Sequence, residues 1–318
     1  MNDLPVELAC RLATCPPEQR WLIEELWADQ AVGILGGEPK CCKSFLALDM
    51  AVAVASGAPC LRHFAVPRPG RVLLFAAEDA LHLVRQRLDG ISSAAGVRLA
   101  DLDLHVITVP ALRIDIADDQ SRLAHTVARL RPKLVILDPF VRLHRIDENA
   151  SAEVAPLLAY LRDLQRRFAL AVLVVHHARK GAARIRQGQA LRGSSDFHAW
   201  GDSNLYLRRW GDQLTLTVEH RAAPSRSGIP LVLRTAGAAL ALEIPDSEPT
   251  PFTSPAAAPP SSAAERVEQA LAAASSPLPL LELRRVCHMR TTSVCEALAT
   301  LTAAGRVAKT DAGYRLRA

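Results

Sequence analysis

The chain has 318 residues, of which 49 % are hydrophobic, and 38 lysines and arginines stand against 33 aspartates and glutamates, a formal net charge of +5. A charged fraction of 22 % and a mean hydropathy of +0.10 exclude a disordered polyelectrolyte. The apolar runs are shorter than the roughly 20 residues of a membrane span. The first residues lack the basic start followed by an apolar run that is typical of a secretory signal. We therefore expect a cytoplasmic protein with no membrane partner.

The amino-acid composition of the chain changes sharply in one segment. Residues 245–264 are rich in proline, serine and alanine and show no apolar periodicity, which predicts a linker. It separates a main domain at residues 31–244 from a tail at residues 265–318. We expect residues 1–30 to form an N-terminal helical segment.

Short β-branched runs alternate with helical patterns in the main domain, which predicts an α/β fold with a mainly parallel sheet. The expected strands are residues 32–35, 71–76, 104–109, 134–137 and 171–175, and the expected helices are residues 43–55, 80–90, 120–130 and 152–168. Two alternating runs around Gly211 and Asp212 predict a C-terminal β-hairpin extension, with further strands through Leu242.

A phosphate-loop pattern joins the first of these strands to the first long helix. It fits G-x-x-x-x-G-K-[ST], except that Cys42 stands where the second glycine belongs. In such a loop backbone N–H groups surround a phosphate, Lys43 reaches the β- and γ-phosphates, and the Ser44 hydroxyl binds Mg²⁺. The alternative is an ordinary strand-to-helix turn, because the Cβ of Cys42 crowds the phosphate. The expected ATP-binding residues are Gly37, Glu38, Pro39, Lys40, Cys41, Cys42, Lys43, Ser44 and Phe45.

Two acidic residues follow predicted strands. Asp138 ends a hydrophobic strand, as does the carboxylate that holds Mg²⁺ in phosphate-loop ATPases. Glu78 follows another strand and is a candidate base for the attacking water. For either acid the alternative is a helix N-cap or a solvated strand end.

Further candidate catalytic groups come later in the main domain. His176 and His177 end the fifth strand and must face opposite sides, so we expect only His177 to contact the γ-phosphate. Arg192 and Arg221 are candidates to reach an active site across a subunit boundary. Ordinary surface arginines are the alternative in a chain so rich in arginine.

The tail carries three helical patterns and two short strands, which resemble a small winged helix-turn-helix domain. From residue 265 onward eight basic residues outnumber five acidic ones. The third helix is expected to enter a DNA major groove while basic residues of the wing contact phosphates. A winged helix used for protein contacts or hexamer packing is the alternative. The expected DNA-binding residues are Arg290, Thr291, Thr292, Ser293, Arg306, Lys309 and Arg315.

Several segments of the main domain have a familiar order. The series GGEPKCCKS, LLFAAED, LVILDPFVRLHRIDEN, VLVVHHARK and LRGSSDFHAWGDSNLYLRR resembles the RecA-like ATPases of the RepA type, the hexameric replicative helicases of plasmids and mobile elements. The resemblance covers roughly residues 22–242. Two residues depart from the family pattern: Cys42 replaces the loop glycine, and Glu219 stands where related rings tend to have a lysine.

This resemblance implies a RecA fold with ATP at the subunit interface of a ring. Lys43 and Ser44 would take the phosphate and Mg²⁺ roles, and Asp138 would be the metal acid. Glu78 would be the base and His177 the γ-phosphate sensor. Arg192 or Arg221 would be the finger inserted into the neighbouring subunit.

The expected function is a DNA-dependent ATPase or helicase of plasmid or mobile-element replication, working as a homo-oligomer with ATP and Mg²⁺. The alternative is an ATP-gated DNA-binding regulator of replication, transposition or transcription without unwinding activity. A third possibility is a signalling ATPase that makes no DNA contact.

Overall fold

The computed structural model describes residues 6–12, 16, 20–177, 196–236, 239–245, 263–272, 274, 277–287, 291–310 and 313–316. The chain divides into two compact units, Met1–Ser247 and Glu248–Ala318. The division falls within the segment that composition predicts as a linker.

The first unit contains eleven strands and five helices among its described residues. The strands are β1 (Trp21–Ile23), β2 (Trp27–Ala28), β3 (Val32–Gly37), β4 (Val72–Ala76), β5 (Leu104–Val106), β6 (Leu134–Asp138), β7 (Ala171–His177), β8 (Ser203–Trp210), β9 (Gln213–His220), β10 (Arg226–Ala236) and β11 (Ala239–Glu243). The helices are α1 (Lys43–Ser56), α2 (Leu81–Ala94), α3 (Ala117–Leu130), α4 (Ser151–Phe168) and α5 (Asp196–Trp200).

Nine of these strands form one sheet in the order β11-β10-β9-β8-β3-β7-β6-β4-β5. Strands β3 to β8 run parallel, and β8 to β11 pair antiparallel. The α/β core with a mainly parallel sheet and a C-terminal hairpin extension is therefore confirmed. The hairpin turns at Gly211, whose φ of 58° suits the residue predicted there.

Helices cover both faces of the parallel strands, so each strand is buried on two sides. The core on the face of α1 and α2 takes in Leu173 and Val175 of β7, whereas the core on the face of α3 and α4 takes in Val172 and Val174. Successive side chains of a strand point to opposite faces, so this alternation also sends the two histidines at the end of β7 to opposite faces.

The carboxyl ends of the central parallel strands meet at one edge of the sheet. Gly37 of β3 is in register with His177 of β7, and Ala76 of β4 is in register with Asp138 of β6. In doubly wound sheets the ligand binds at this edge, and here it brings together residues far apart in the sequence.

The expected N-terminal helical segment is wrong for the described residues among 1–30. A single 3-10 turn spans Ala9–Arg11, and β1 and β2 pair as an antiparallel ribbon. Glu25 reverses the chain between them with a φ of 55°, a left-handed conformation that no helix interior accepts. Leu22, Ile23 and Trp27 are fully buried, so packing against the main core outweighs any local helical preference.

The second unit contains α6 (Ala263–Ala272), α7 (Leu280–Val286), α8 (Thr291–Ala303), β12 (Val307–Thr310) and β13 (Gly313–Leu316). Apolar residues from all three helices form its core, including Val267, Leu283 and Leu298. The strands pair antiparallel, and Leu278 forms an isolated bridge with Tyr314. The three helices and the ribbon match the expected elements, while their assignment as a winged helix-turn-helix stays a prediction.

The sequence predicts no membrane-spanning segment. No helix in the described part of the chain has the length and apolar character needed to cross one.

Candidate functional site

The loop between β3 and α1 is built around Lys43. Lys43 is 5 % exposed, and its ammonium group donates hydrogen bonds to the carbonyl oxygens of Gly37 at 3.0 Å and Glu38 at 2.7 Å. Gly37 has no room for a side chain, because a Cβ there would lie 2.5 Å from the carbonyl oxygen of Leu207 and 2.6 Å from Sγ of Cys41. The loop is thus closed around a lysine at the start of a helix.

Cys42 adopts the backbone conformation that usually requires glycine. Its φ of 64° and ψ of 24° are left-handed, and it forms the N-cap of α1. Its side chain is partly buried, and Sγ lies 3.3 Å from a guanidinium nitrogen of Arg209 on β8. The loop therefore has the left-handed backbone conformation at this position although a cysteine stands in place of glycine.

Asp138 at the end of β6 accepts a hydrogen bond from the Ser44 hydroxyl. Burial raises its pKa to about 6, and the neighbouring Asp79 and Glu78 carboxylates add to this, while Ser44 and Lys43 act in the opposite direction. A serine hydroxyl and a buried carboxylate thus lie together at the start of α1. Their assignment to a Mg²⁺ site stays a prediction.

The acidic pair after β4 is held by arginines. The Glu78 carboxylate lies 3.1 Å from the Arg142 guanidinium, and both side chains are largely exposed. Asp79 is paired with Arg87 of α2, whose guanidinium lies 5.3 Å from the ring centroid of Phe45. Sequence reasoning found Glu78 but missed Asp79 and Arg87. Asp79 was available as the next strand-end acid, whereas nothing in the pattern of α2 singled out Arg87.

The two histidines that end β7 separate as expected. His177 lines the cleft beside the loop, while His176 is 2 % exposed and packs against Phe197 on the opposite face of the sheet. Only His177 therefore faces the position where phosphates would bind.

These groups line one cleft of about 290 Å³. Its walls contain most of the sequence-predicted residues together with Ala76, Asp79 and Arg87; the predicted ones are Lys40, Cys42, Lys43, Ser44, Phe45, Glu78, Asp138 and His177. Gly37 and Glu38 take part through the carbonyl groups that hold Lys43. Cys41 is fully buried below the loop, where desolvation raises its thiol pKa. Pro39 completes the loop outside the cleft walls.

The candidate finger residues lie elsewhere. Arg221 follows β9 and is paired with Asp202 at 3.2 Å, next to the first residue of β3, at the amino edge of the sheet. It also lines a second cleft of about 460 Å³ with His198 and Glu219. Arg221 is therefore remote from the phosphate loop of its own chain. Arg192 lies outside the described residues.

The expected DNA-binding residues of the tail are distributed over α8 and the ribbon. Thr291 and Ser293 open α8, and Lys309 and Arg315 are exposed on β12 and β13. Arg306 is paired with Glu268 of α6 at 2.5 Å, so its charge is already matched within the unit. Arg290 and the side chain of Thr292 lie outside the described part of the tail.

A family model described as an AAA domain matches residues 4–183, more than half of the chain. The chain belongs to the AAA domain family. A solved structure titled as that of a DnaB-like replicative helicase and its interactions with primase aligns with a TM-score of 0.51 and 14 % sequence identity. The alignment covers 67 % of this chain and 57 % of that chain.

The fold is accordingly a RecA-like core with a mainly parallel central sheet. In this AAA domain the matched region, residues 4–183, includes the loop, Glu78, Asp138 and His177. The antiparallel extension from β8 to β11 and the second unit lie beyond it.

Proposed function

We propose that this chain is a Mg²⁺-dependent ATPase that couples ATP hydrolysis to DNA, as a RepA-like helicase of plasmid or mobile-element replication. One observation carries the proposal: Lys43, Ser44, Glu78, Asp138 and His177 line a single cleft at the carboxyl edge of the sheet. These are the group types that phosphoryl transfer requires, since catalysis there depends on positioning and on charge stabilisation.

The residues of the cleft fit a magnesium ion. The Ser44 hydroxyl and the Asp138 carboxylate are hydrogen-bonded to each other, and both are oxygen donors, the kind that Mg²⁺ prefers. Burial with other carboxylates nearby makes ionisation of Asp138 unfavourable by itself, and a cation would offset this. Mg²⁺ bound by Ser44 and Asp138 would neutralise charge on the β- and γ-phosphates.

The other groups have separate tasks. The Lys43 ammonium would exchange the loop carbonyls for phosphate oxygens, because a phosphate anion is the stronger acceptor. Glu78 would accept the proton of the attacking water. His177 would donate a hydrogen bond to the γ-phosphate from the β7 side.

A ring explains the position of Arg221. Its guanidinium lies at the amino edge of the sheet and 56 % of its side chain is exposed. It would reach a neighbouring copy of the chain by giving up its ion pair with Asp202. We propose a homo-oligomer, a hexameric ring in the manner of RepA-type ATPases, in which Arg221 or Arg192 stabilises transition-state charge in the adjacent site.

The second unit is proposed to contact DNA through α8 and the ribbon. Lys309 and Arg315 are exposed there, and exposed cations that contact phosphates make binding dependent on salt. Charge reversal at Arg290 and Lys309 is expected to weaken DNA binding and to flatten its salt dependence. Unchanged binding by this double variant would exclude the proposed surface.

The direct test is ATP turnover with and without single- and double-stranded DNA, for the wild type and Lys43→Ala. We expect turnover that requires Mg²⁺, rises with single-stranded DNA and is lost in Lys43→Ala, whose melting temperature should stay near that of the wild type. Wild-type turnover in Lys43→Ala would refute the site assignment.

A second candidate is an ATP-gated DNA-binding regulator without unwinding activity. One contact favours it: Arg142 engages the Glu78 carboxylate at 3.1 Å, so the candidate base is already paired. Negligible hydrolysis together with ATP-dependent binding of duplex DNA would support this reading. Unwinding of a forked DNA substrate would exclude it.

A further inference from the structure

Two histidines and a glutamate form a buried cluster behind the nucleotide cleft, on the sheet face opposite α1. Nε2 of His144 lies 3.3 Å from Oε1 of Glu148, and Nε2 of His176 lies 3.5 Å from Oε2 of the same carboxylate. His144 is 7 % exposed and His176 is 2 % exposed. The Glu148 carboxylate, on a side chain that is 16 % exposed, therefore faces two buried imidazoles.

Aromatic rings surround this cluster. The Phe140 ring lies 4.5 Å from that of His144, and the Phe197 ring lies 4.4 Å from that of His176. A charge placed among apolar rings is costly unless polar partners compensate for its lost hydration. The imidazoles are the compensating groups here, which couples their positions to that of Glu148.

Glu148 remains ionised in this setting. Burial by itself would raise its pKa, but the facing imidazoles of His144 and His176 outweigh this and lower the pKa to about 2. The two Nε2 atoms thus lie within ion-pair distance of one carboxylate, although neither meets hydrogen-bond geometry with it. Among the described residues no group of three or more His, Cys, Asp or Glu side chains is suited to hold a metal ion.

The cluster connects the two strand ends that carry candidate catalytic groups. His176 belongs to β7 and directly precedes His177. His144 follows the 3-10 turn Phe140–Arg142, which comes after Asp138 at the end of β6. Glu148 therefore ties the segment after β6 to the end of β7 from the face that the nucleotide does not occupy.

We infer that Glu148 is a positioning residue for ATP hydrolysis, which holds His144 and His176 so that Asp138 and His177 keep their relative placement across the cleft. The inference rests on the proposed ATPase function. Lys43 and the phosphate loop lie outside the cluster, so ATP binding in the ground state should depend little on it. Reaction geometry should depend on it strongly, because a shift of about 1 Å can cost about 100-fold in rate.

The test compares Glu148→Gln with Asp147→Asn. Both remove one negative charge from adjacent positions, but Asp147 is exposed and its carboxylate accepts hydrogen bonds from the backbone N–H and the side-chain amide of its near neighbour Asn149. For Glu148→Gln we expect kcat to fall by about tenfold or more while KM for ATP changes by less than about threefold, the pattern of a lost transition-state interaction. Asp147→Asn should retain the wild-type kcat.

A second pair keeps the test decisive should Glu148→Gln fail to fold. His144→Gln retains an N–H donor that can face Glu148, whereas His144→Phe keeps a ring against Phe140 without a donor. We expect kcat to be preserved in His144→Gln and reduced in His144→Phe, with both proteins folded by circular dichroism.

The possible results separate this inference from the proposed function. A wild type without ATP turnover would overturn both. A wild type that turns over ATP, together with wild-type kcat in folded Glu148→Gln or equal kcat in the two His144 variants, would overturn the positioning role alone. A rise in KM without a fall in kcat, or a lower melting temperature with kcat retained, would likewise overturn it, because a purely structural role would produce that pattern.

Discussion

Replacing Cys42 by glycine tests whether the thiol side chain impairs the phosphate loop. Cys42 already has the left-handed backbone that glycine would adopt, with a φ of 64°, and its Sγ points to Arg209 at 3.3 Å. We expect the substitution to leave the course of the loop unchanged. The native cysteine would then be an accommodated departure from the loop pattern.

The magnitude follows from two opposing terms. A left-handed conformation costs a residue with a Cβ about 1 to 2 kcal/mol, and glycine removes this cost. The greater conformational freedom of glycine in the unfolded chain lowers the free energy of unfolding by about 0.5 to 1 kcal/mol. The net change in the free energy of unfolding should therefore be a gain of no more than about 1.5 kcal/mol. Because the course of the loop is unchanged, kcat should change by less than about threefold.

The assay combines ATP turnover at saturating ATP with chemical denaturation. Arg209→Ala serves as a control that removes the contact to the thiol while leaving the Cys42 backbone unchanged, and its kcat should also stay near that of the wild type. Cys42→Val should lower stability, since a β-branched residue is strained in the left-handed region. A gain of tenfold or more in kcat or ATP affinity for Cys42→Gly would refute this reasoning and show that the native thiol obstructs the phosphates.

Two further predictions concern stability, both measured by denaturant unfolding. Gly33→Ala should lower the free energy of unfolding by more than about 3 kcal/mol, because the Cβ of the new alanine would lie 1.7 Å from the carbonyl oxygen of Ser203. The control Gly96→Ala, where a Cβ meets open space and φ is +70°, should cost only about 1 to 2 kcal/mol. Equal losses in the two variants would contradict the steric argument. Asp49→Ala should cost about 3 to 5 kcal/mol, because the buried carboxylate accepts from the guanidinium of Arg62 at 2.5 Å and from a backbone N–H at 2.7 Å. A loss below about 1 kcal/mol would show that this pair contributes little.

Local patterns predicted most of the main domain. Runs of β-branched residues bounded by turns mark fully buried strands, and five of them were placed within a few residues of β3, β4, β5, β6 and β7. The N-terminal ribbon was missed because β1 and β2 are only three and two residues long. Strands so short have no periodicity of their own, and buried contacts such as those of Trp27 stabilise them.

The candidate site was predicted in part. Lys43, Ser44, Glu78, Asp138 and His177 each stand at a strand end or a helix start, where a sequence pattern can mark them. Arg87, Arg142 and Glu148 do not, since their roles depend on which elements pack together. The pairing of Glu78 with Arg142 joins residues 64 positions apart, and no local signal predicts it.

The sequence by itself determined the order of elements, the phosphate loop and the chemical types of the groups available for catalysis. These depend on short-range regularities: alternation along strands, periodicity along helices, and the residues needed where a strand turns into a helix. The tertiary structure decided the sheet order, which lays β7 beside β3 and β6 beside β4. It also decided the left-handed backbone of Cys42, the position of Arg221 away from its own loop, and the cluster around Glu148. Each of these depends on contacts between distant segments, whose energies arise only once the hydrophobic faces of the elements are packed.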